Sequence, residues 1–496
     1  MVTVPCPVRV QARREPEGLA LVSGDRRWTW GTLDQDVARV AGFLHAGNVR
    51  AGERVAVLAA NHPSTVVLLF ALRRVRAALV PLNPRLAPPE LAAQRERVRP
   101  RVVLADDPRA GVLAGAVPLE DWPANVSWWN DESDPAADWA LLFTSGTTGQ
   151  PKAARLSVGA FDALARASAE NLGPRPGDRW LCNLPLFHVG GLAMAVRCAH
   201  DGAALVLQPR FDPEATVRAV REQEITHLSL VARTLEQCLD AGLAQGRLRG
   251  VLLGGGPVPP ALVERARAAR IPVLLTYGLT EACSQVTTER PTDADGQTAG
   301  RALPGLEVAV LGPGGRPVGP EEEGTIAVRG PTLMQGYLDD PGGTAEALAG
   351  GWLRTGDIGR LDAAGRLSVL ARRTDLILSG GENVYPAEVE AVLAAHPAVA
   401  EVAVVGRPDA RWGQVPVAVV VPRPAASLED LRPWARTRLA AFKVPAEVVS
   451  APALPRTAAG KVDRAALQAW VTAPSGSCSF EKSPAAESAA ERMGFK

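Results

Sequence analysis

The sequence predicts an α/β fold. It is a large amino-terminal domain of two βα subdomains, each a sheet covered on both faces, plus a small β-barrel-like subdomain. A smaller α+β carboxy-terminal domain follows. Three observations carry the prediction. Strand-like and helix-like segments alternate in two separate stretches, the pattern of parallel sheets covered by helices. After Pro304 the alternation gives way to short β-like segments separated by Gly/Pro turns. Beyond Asp375 a third, compact pattern of strands and helices begins. The domains are therefore read as 1–373 and 374–471, with a Ser-, Ala- and Glu-rich tail at 472–496 whose composition reads as disordered.

The first alternating stretch starts with a strand at 55–59. A helix at 64–75 comes next, with Val67, Leu68, Ala71, Leu72 and Val75 on one apolar face. A strand at 77–80, a helix at 88–97 and a strand at 102–104 complete it. The same order recurs later as a strand at 180–184, a helix at 191–200, a strand at 204–207, a helix at 213–223 and a strand at 227–230. The recurrence points to two related subdomains. The β-like segments are 306–311 and 325–329, with a short strand at 352–353. In the carboxy-terminal domain the strands are 376–379, 402–405 and 417–421, and the helices 387–395 and 428–439.

Composition excludes several classes. A chain of 496 residues with a formal charge of +1 carries no electrostatic footprint for nucleic acid. Cysteines at 6, 182, 198, 238, 283 and 478 show neither CxxC nor metal-ligand spacing. The amino terminus lacks a charged segment followed by an apolar one, and the most apolar stretch, 66–82, is interrupted by Arg73, Arg74 and Arg76. A cytoplasmic protein without an integral membrane segment is expected, and a homo-oligomer is compatible with the sequence. Positive charge is carried almost wholly by arginine. Lysine occurs at 152, 443, 461, 482 and 496, so Lys152, Lys443 and Lys461, outside the tail, are candidates for sites needing a compact ammonium.

The chemistry-bearing segments come in a definite order. An apolar run at 139–143 leads into Thr144-Ser145-Gly146-Thr147-Thr148-Gly149-Gln150-Pro151-Lys152, whose amides and hydroxyls can wrap phosphate oxygens. The spacing of Gly146, Gly149 and Lys152 is not that of a Walker loop. Leu184-Pro-Leu-Phe-His-Val-Gly-Gly191 puts His188 at a strand-to-helix turn, and Gly254-Gly255-Gly256 gives backbone that a planar ligand can approach. Thr276-Tyr-Gly-Leu-Thr-Glu281, Thr355-Gly-Asp357, Arg372, the segment 379–386 and the segment 455–461 follow.

Taken together over 15–470, these segments resemble the acyl-adenylate-forming enzymes, the superfamily of acyl-CoA synthetases, luciferases and peptide-synthetase adenylation domains. The resemblance implies ATP, Mg²⁺ and coenzyme A as co-substrates or cofactors, and a small carboxylic acid as substrate. It implies ATP or AMP contacts from Thr144, Ser145, Gly146, Thr147, Thr148, Gly149, Lys152, Gly255, Gly256, Tyr277, Gly278, Thr280, Asp357 and Arg372. Glu281, with Thr147, would serve the metal. A hard carboxylate oxygen suits Mg²⁺ and a tyrosine face suits a purine. Asp357, a two-oxygen acceptor, would take both ribose hydroxyls. His188 would wall off the acyl pocket, which Gly254 and Ser284 also line, and Lys461 would bridge carboxylate and α-phosphate. Gly380, Gly381, Glu382, Asn383 and Lys443 would line the coenzyme A channel. Thr374 stands where the family usually places a charged hinge residue. Arg197, about two helical turns after the His188 motif, together with Ala282-Cys-Ser-Gln-Val-Thr-Thr288, looks like the o-succinylbenzoate–CoA ligases of menaquinone biosynthesis. Their substrate is an aromatic dicarboxylic acid, and Arg197 would fork onto its second carboxylate. A fatty- or aryl-acid ligase acting on a monocarboxylate is the alternative.

Overall fold

The computed structural model describes residues 3–86, 88–106, 113, 115–120, 122, 126–130, 132–144, 152–256, 258–372, 377–379, 382–439, 441–457 and 460–472. Of Arg372, Glu382 and Asn383 the backbone alone is described. The chain forms two compact units, Met1–Val369 and Leu370–Lys496. The division falls within the strand Leu367–Arg372, a few residues before the boundary read at 373/374.

The first unit contains both alternating stretches, and they share a topology. In one, Arg54–Leu58 is flanked in parallel by Ala78–Leu82 and Val102–Ala105. In the other, Arg179–Cys182 is flanked in parallel by Ala204–Leu207 and His227–Leu230. Each thus has its first strand in the middle, the second on one side and the third on the other, so the recurrence expected from the sequence is structural. Both sheets grow by antiparallel strands at their edges. The seven-stranded sheet adds the hairpin Asp138–Thr144 and Lys152–Ser157, and the nine-stranded sheet adds Ser284–Thr288 beside Val273–Leu279. The phosphate-loop motif therefore joins two antiparallel strands, with Thr144 opposite Lys152, rather than a strand and a helix.

Local chemistry explains the helices between the sheets. Pro63 starts the helix Pro63–Val75, where a missing N–H costs nothing, and the Ser157 hydroxyl caps Val158–Leu172 by accepting from the Ala160 amide at 3.1 Å. Trp139 packs between Phe70 and Phe161 in the shared core. Of the arginines that break the apolar stretch 66–82, Arg76 is exposed, whereas Arg73 and Arg74 are buried and paired. Arg73 makes a two-pronged contact with Asp162 at 2.7 and 2.9 Å, and Arg74 pairs with Asp34. Among the described residues no helix is long and apolar enough to cross a membrane.

The β segments form an open four-stranded antiparallel half-barrel of Glu307–Leu311, Gly324–Arg329, Leu353–Leu361 and Leu367–Arg372. The second unit has its own core of Ile377, Val389, Leu393, Val404, Val420 and Leu431, built around the long hairpin Val399–Asp409 and Gly413–Pro422. Its second predicted helix is shorter than the 428–439 expected, running only Leu431–Arg436. Beyond it the backbone tightens, the Arg438 amide donating to the Ala435 carbonyl at 3.0 Å, and the Trp434 carbonyl accepts instead from the Thr437 hydroxyl and the Arg438 guanidinium. The tail at 473–496 lies outside the described residues.

Candidate active site

The carboxyl ends of the central strands of the nine-stranded sheet carry most of the candidate residues, as ligand sites of α/β sheets do. Gly254, Gly255 and Gly256 leave the strand Gly250–Leu253. At Gly254 a Cβ would sit 2.5 Å from the Thr276 carbonyl oxygen, so only glycine lets the two strands close up here. Tyr277 and Gly278 lie on the neighbouring strand, Val273–Leu279, where a bulge interrupts the pairing with Ser284–Thr288. A Cβ at Gly278 would lie 1.7 Å from the Ser284 carbonyl oxygen. The turn between these strands, Thr280–Ala282, holds Thr280 and Glu281, and is followed by Cys283 and Ser284 with φ of 57° and 95°. Two consecutive non-glycine residues at positive φ are costly, and such strain gathers at functional sites.

Tyr277 is 9% exposed and its hydroxyl donates to Asp357 Oδ2 at 2.6 Å; Asp357 is 7% exposed. The adenine and ribose candidates are thus joined directly, and the phenol fixes the rotation of the carboxylate. Thr355 braces the same turn, its hydroxyl accepting from the Asp357 amide at 3.1 Å.

Glu281 is held through a residue that motif reasoning missed. The Tyr337 hydroxyl donates to Glu281 Oε1 at 3.0 Å. Burial, then the charge of Glu281, pushes the Tyr337 phenol up from its ordinary range, so it remains a donor. Lys152 sits 4.9 Å from the Tyr337 ring centroid and 3.0 Å from Asp340 Oδ2. One end of the phosphate-loop motif and the carboxylate candidate therefore meet on a single tyrosine. Thr144 ends the opposite strand. Ser145, Gly146, Thr147, Thr148 and Gly149 lie outside the described residues.

His188 precedes the helix Val189–Asp201, its ring 4.8 Å from that of Phe187. Asn61 pins this turn from another strand's end. Its amide donates to the Leu184 carbonyl at 2.9 Å and its carbonyl accepts from the Leu186 amide at 2.8 Å.

Arg197, on the same helix, is not a solvated residue. It is 2% exposed. Its Nη1 donates to Gln285 Oε1 at 2.6 Å and to Ser168 Oγ at 3.4 Å, and its guanidinium lies 4.6 Å from the Trp180 ring centroid. Trp180 is stacked in turn on His227, whose imidazole burial holds down to about 4 and so uncharged at neutral pH. Among the described residues no carboxylate pairs with Arg197, and its Nε has no hydrogen-bond partner. Asp201, one turn further along the helix, acts on Arg197 by charge without forming an ion pair, and burial pushes its own carboxyl up to about 7, so the buried guanidinium has only a partial counter-charge. Burying a cation so weakly compensated costs several kcal/mol, on the order of a whole domain's margin of stability.

The matches to known proteins span both units. The family model for AMP-binding enzymes matches residues 8–338, and that for the AMP-binding enzyme C-terminal domain matches 388–461. The chain belongs to the AMP-binding enzyme family. It is 39% identical over 485 residues to a 2-succinylbenzoate–CoA ligase of Geobacillus kaustophilus, covering 94% of this chain and 98% of that protein. Its structure resembles that of o-succinylbenzoate CoA synthetase from Bacillus subtilis in complex with the acyl-adenylate intermediate OSB-AMP. The TM-score is 0.89 at 34% identity, covering 96% of this chain and 100% of the other. The same Bacillus subtilis enzyme in complex with ATP and magnesium ion gives 0.88 at 34% identity, covering 94% and 99%.

In this AMP-binding enzyme the remaining candidates belong to the second unit. Arg372 ends the strand Leu367–Arg372, and Glu382 and Asn383 lie in the strand Glu382–Val384. Gly380, Gly381 and the hinge candidate Thr374 are outside the described residues. Lys443 ends the turn Ala441–Lys443. Lys461 is exposed at the base of a tight loop, its carbonyl accepting from the Thr457 amide at 2.7 Å. Gln285 lies in the 282–288 segment quoted for the resemblance, with no role read for it, whereas nothing local marks Asn61 or Tyr337, whose short strand pairs opposite Ala154.

Proposed function

We infer that this chain is an acid–CoA ligase that activates 2-succinylbenzoate with ATP and then transfers the acyl group to coenzyme A, the activity named for the relatives it resembles. The observation that carries the choice of acid is the guanidinium of Arg197, buried with no ion-paired carboxylate among the described residues and only the weakly ionised Asp201 nearby. A site for a fatty or simple aryl monocarboxylate has no use for a second cation in its wall, whereas a dicarboxylic acid brings an anion to pair with it.

In the first half-reaction the substrate carboxylate attacks the α-phosphorus of ATP, the bond to the bridging oxygen breaks, and pyrophosphate leaves. Such a displacement needs positioning and charge neutralisation more than covalent help. Asp357, held by Tyr277, takes the ribose hydroxyls, and Lys152 with the 145–149 hydroxyls takes the phosphates. No group of three or more His, Cys, Asp or Glu side chains suited to a metal occurs among the described residues. One oriented carboxylate, Glu281, suits Mg²⁺ all the same, because that ion is commonly bound by one or two carboxylates with phosphate oxygens and water filling its shell. When bound, the ion would offset charge building on the leaving pyrophosphate. Lys461 serves this half-reaction. In the second, the thiol sulfur of coenzyme A attacks the acyl carbon, AMP leaves, and the thioester forms. His188 walls the acyl pocket, and Gly380, Gly381, Glu382, Asn383 and Lys443 serve the thiol arm. We place the reaction in the cytoplasm. The free, buried thiols of Cys6, Cys182, Cys198, Cys238 and Cys283 accord with a reducing compartment.

The test is a panel of acids assayed for AMP release with ATP, Mg²⁺ and coenzyme A, the thioester being identified by mass. 2-Succinylbenzoate should exceed matched monocarboxylates at least tenfold in kcat/KM. A monocarboxylate equalling it would overturn the assignment of the acid.

A further inference from the structure

The orientation of the Arg197 guanidinium is determined by two neighbours. The Trp180 ring covers it from one face, its centroid 4.6 Å from Arg197 Cζ. Gln285 sets the rotation of the guanidinium within its own plane. Gln285 is 3% exposed. Its Oε1 accepts from Arg197 Nη1 at 2.6 Å and from the Ser168 hydroxyl at 3.0 Å, and its Nε2 donates to Thr288 Oγ1 at 2.9 Å. Thr288 Oγ1 is anchored in turn, donating to the Thr287 carbonyl at 2.8 Å and lying 2.9 Å from Thr276 Oγ1. The amide cannot turn over without putting its NH₂ against the guanidinium, donor to donor.

The consequence is a choice of edge. A guanidinium binds carboxylate through a fork of two nitrogens. With Nη1 tied to Gln285, the fork left over is formed by Nε and Nη2, and neither makes a hydrogen bond among the described residues. The choice of an amide also matters. A carboxylate at this position would pair with Arg197 and cancel its charge before any substrate arrived. An apolar side chain would leave the guanidinium free to swing about its bond.

We propose that Gln285 is a positioning residue for acid selection, holding Arg197 through Nη1 so that its Nε–Nη2 edge stays charged and presented to the substrate's second carboxylate. The proposal rests on the assignment of Arg197 made above. It gives Gln285 a role at the acid end of the site, through Arg197 and without contact with the reacting carboxylate. The Thr288–Thr276 anchor extends the network to the strand that carries Tyr277.

The experiment compares the full-length enzyme with Gln285→Glu, Gln285→Met and Arg197→Met on two acids, 2-succinylbenzoate and an analogue whose second carboxylate is replaced by a primary carboxamide. The expected result is that Gln285→Glu lowers the ratio of kcat/KM for diacid over carboxamide at least tenfold and Gln285→Met at least threefold. The loss should appear in KM for the diacid and not in KM for ATP. Equal losses on both acids, or an unchanged ratio, would overturn the proposal by showing a merely structural amide. If Gln285→Glu does not fold, Gln285→Met decides by its own threshold. Arg197→Met separates the two claims. A ratio unchanged in that variant sinks the assignment of Arg197 itself, whereas a ratio lost there but kept in both Gln285 variants sinks only the positioning.

Discussion

Replacing Arg197 by methionine should cost substrate use heavily and stability little. On the substrate side, the variant removes one partner of a desolvated, charge-assisted fork. Truncating such a pair costs about 2–5 kcal/mol, which is roughly thirty- to several-thousand-fold in kcat/KM for the dicarboxylic acid. On the stability side, the free enzyme loses the 2.6 Å bond to Gln285, worth about 1.5–3 kcal/mol, and the cation–π contact with Trp180, worth about 2 kcal/mol. Against that, it is relieved of an ion that is 2% exposed and has no carboxylate partner among the described residues, a penalty of several kcal/mol. Methionine fills much of the same volume with a flexible, apolar chain. The two sides nearly cancel, so the unfolding free energy of the unliganded protein should fall by no more than about 1 kcal/mol. The assay pairs urea unfolding of the free enzyme with steady-state kinetics on the acid and on ATP, where KM for ATP should stay within about twofold. A loss of about 3 kcal/mol or more in stability with kcat/KM for the acid intact would refute the reasoning, because it would make Arg197 a structural residue.

Three further outcomes are expected. Asp162→Asn breaks the buried pair with Arg73 and should destabilise the protein by about 3–5 kcal/mol in urea unfolding. In the parent enzyme burial raises Asp162, but the hydrogen bonds from His200 and Arg73 outweigh it and hold the carboxyl at about 2, below its ordinary 3.8. Its contribution of roughly 2 kcal/mol is therefore present above pH 3.8 and lost as the pH falls through about 2, a dependence that unfolding measurements on Asp162→Asn should lack. Tyr337→Phe removes the donor on Glu281 and should raise the Mg²⁺ concentration for half-maximal ATP–pyrophosphate exchange about three- to tenfold, with KM for the acid unchanged. An unchanged Mg²⁺ dependence would mean that the phenol does not orient the carboxylate. Lys461→Ala should nearly abolish adenylate formation while sparing thioester formation from supplied acyl-adenylate, and equal loss of both would contradict the division of labour assigned to that lysine.

Much of the fold was legible because its causes are local. Alternating apolar runs and helical faces marked both three-strand repeats to within a few residues, and the order of motifs marked the family. The shortened helix at Leu431–Arg436 was not legible, since its end depends on which side chains reach the Trp434 carbonyl. Nor was the hairpin nature of the 144–152 motif. An apolar run before a glycine-rich loop looks the same whether the chain next enters a helix or an antiparallel strand.

By itself, then, the sequence determined the α/β class, the family and the inventory of chemical groups, since periodicity, turn chemistry and contiguous motifs are written within a few residues of one another. The tertiary structure decided which groups work together. Tyr277 meets Asp357 across 80 positions, Tyr337 meets Glu281 across 56, and Gln285 meets Arg197 across 88. It also decided that Arg197 is a buried cation and not a surface one. Burial and hydrogen-bond partnership are properties of where distant elements converge, and no local pattern of residues encodes the dielectric around a side chain or the atom waiting opposite it.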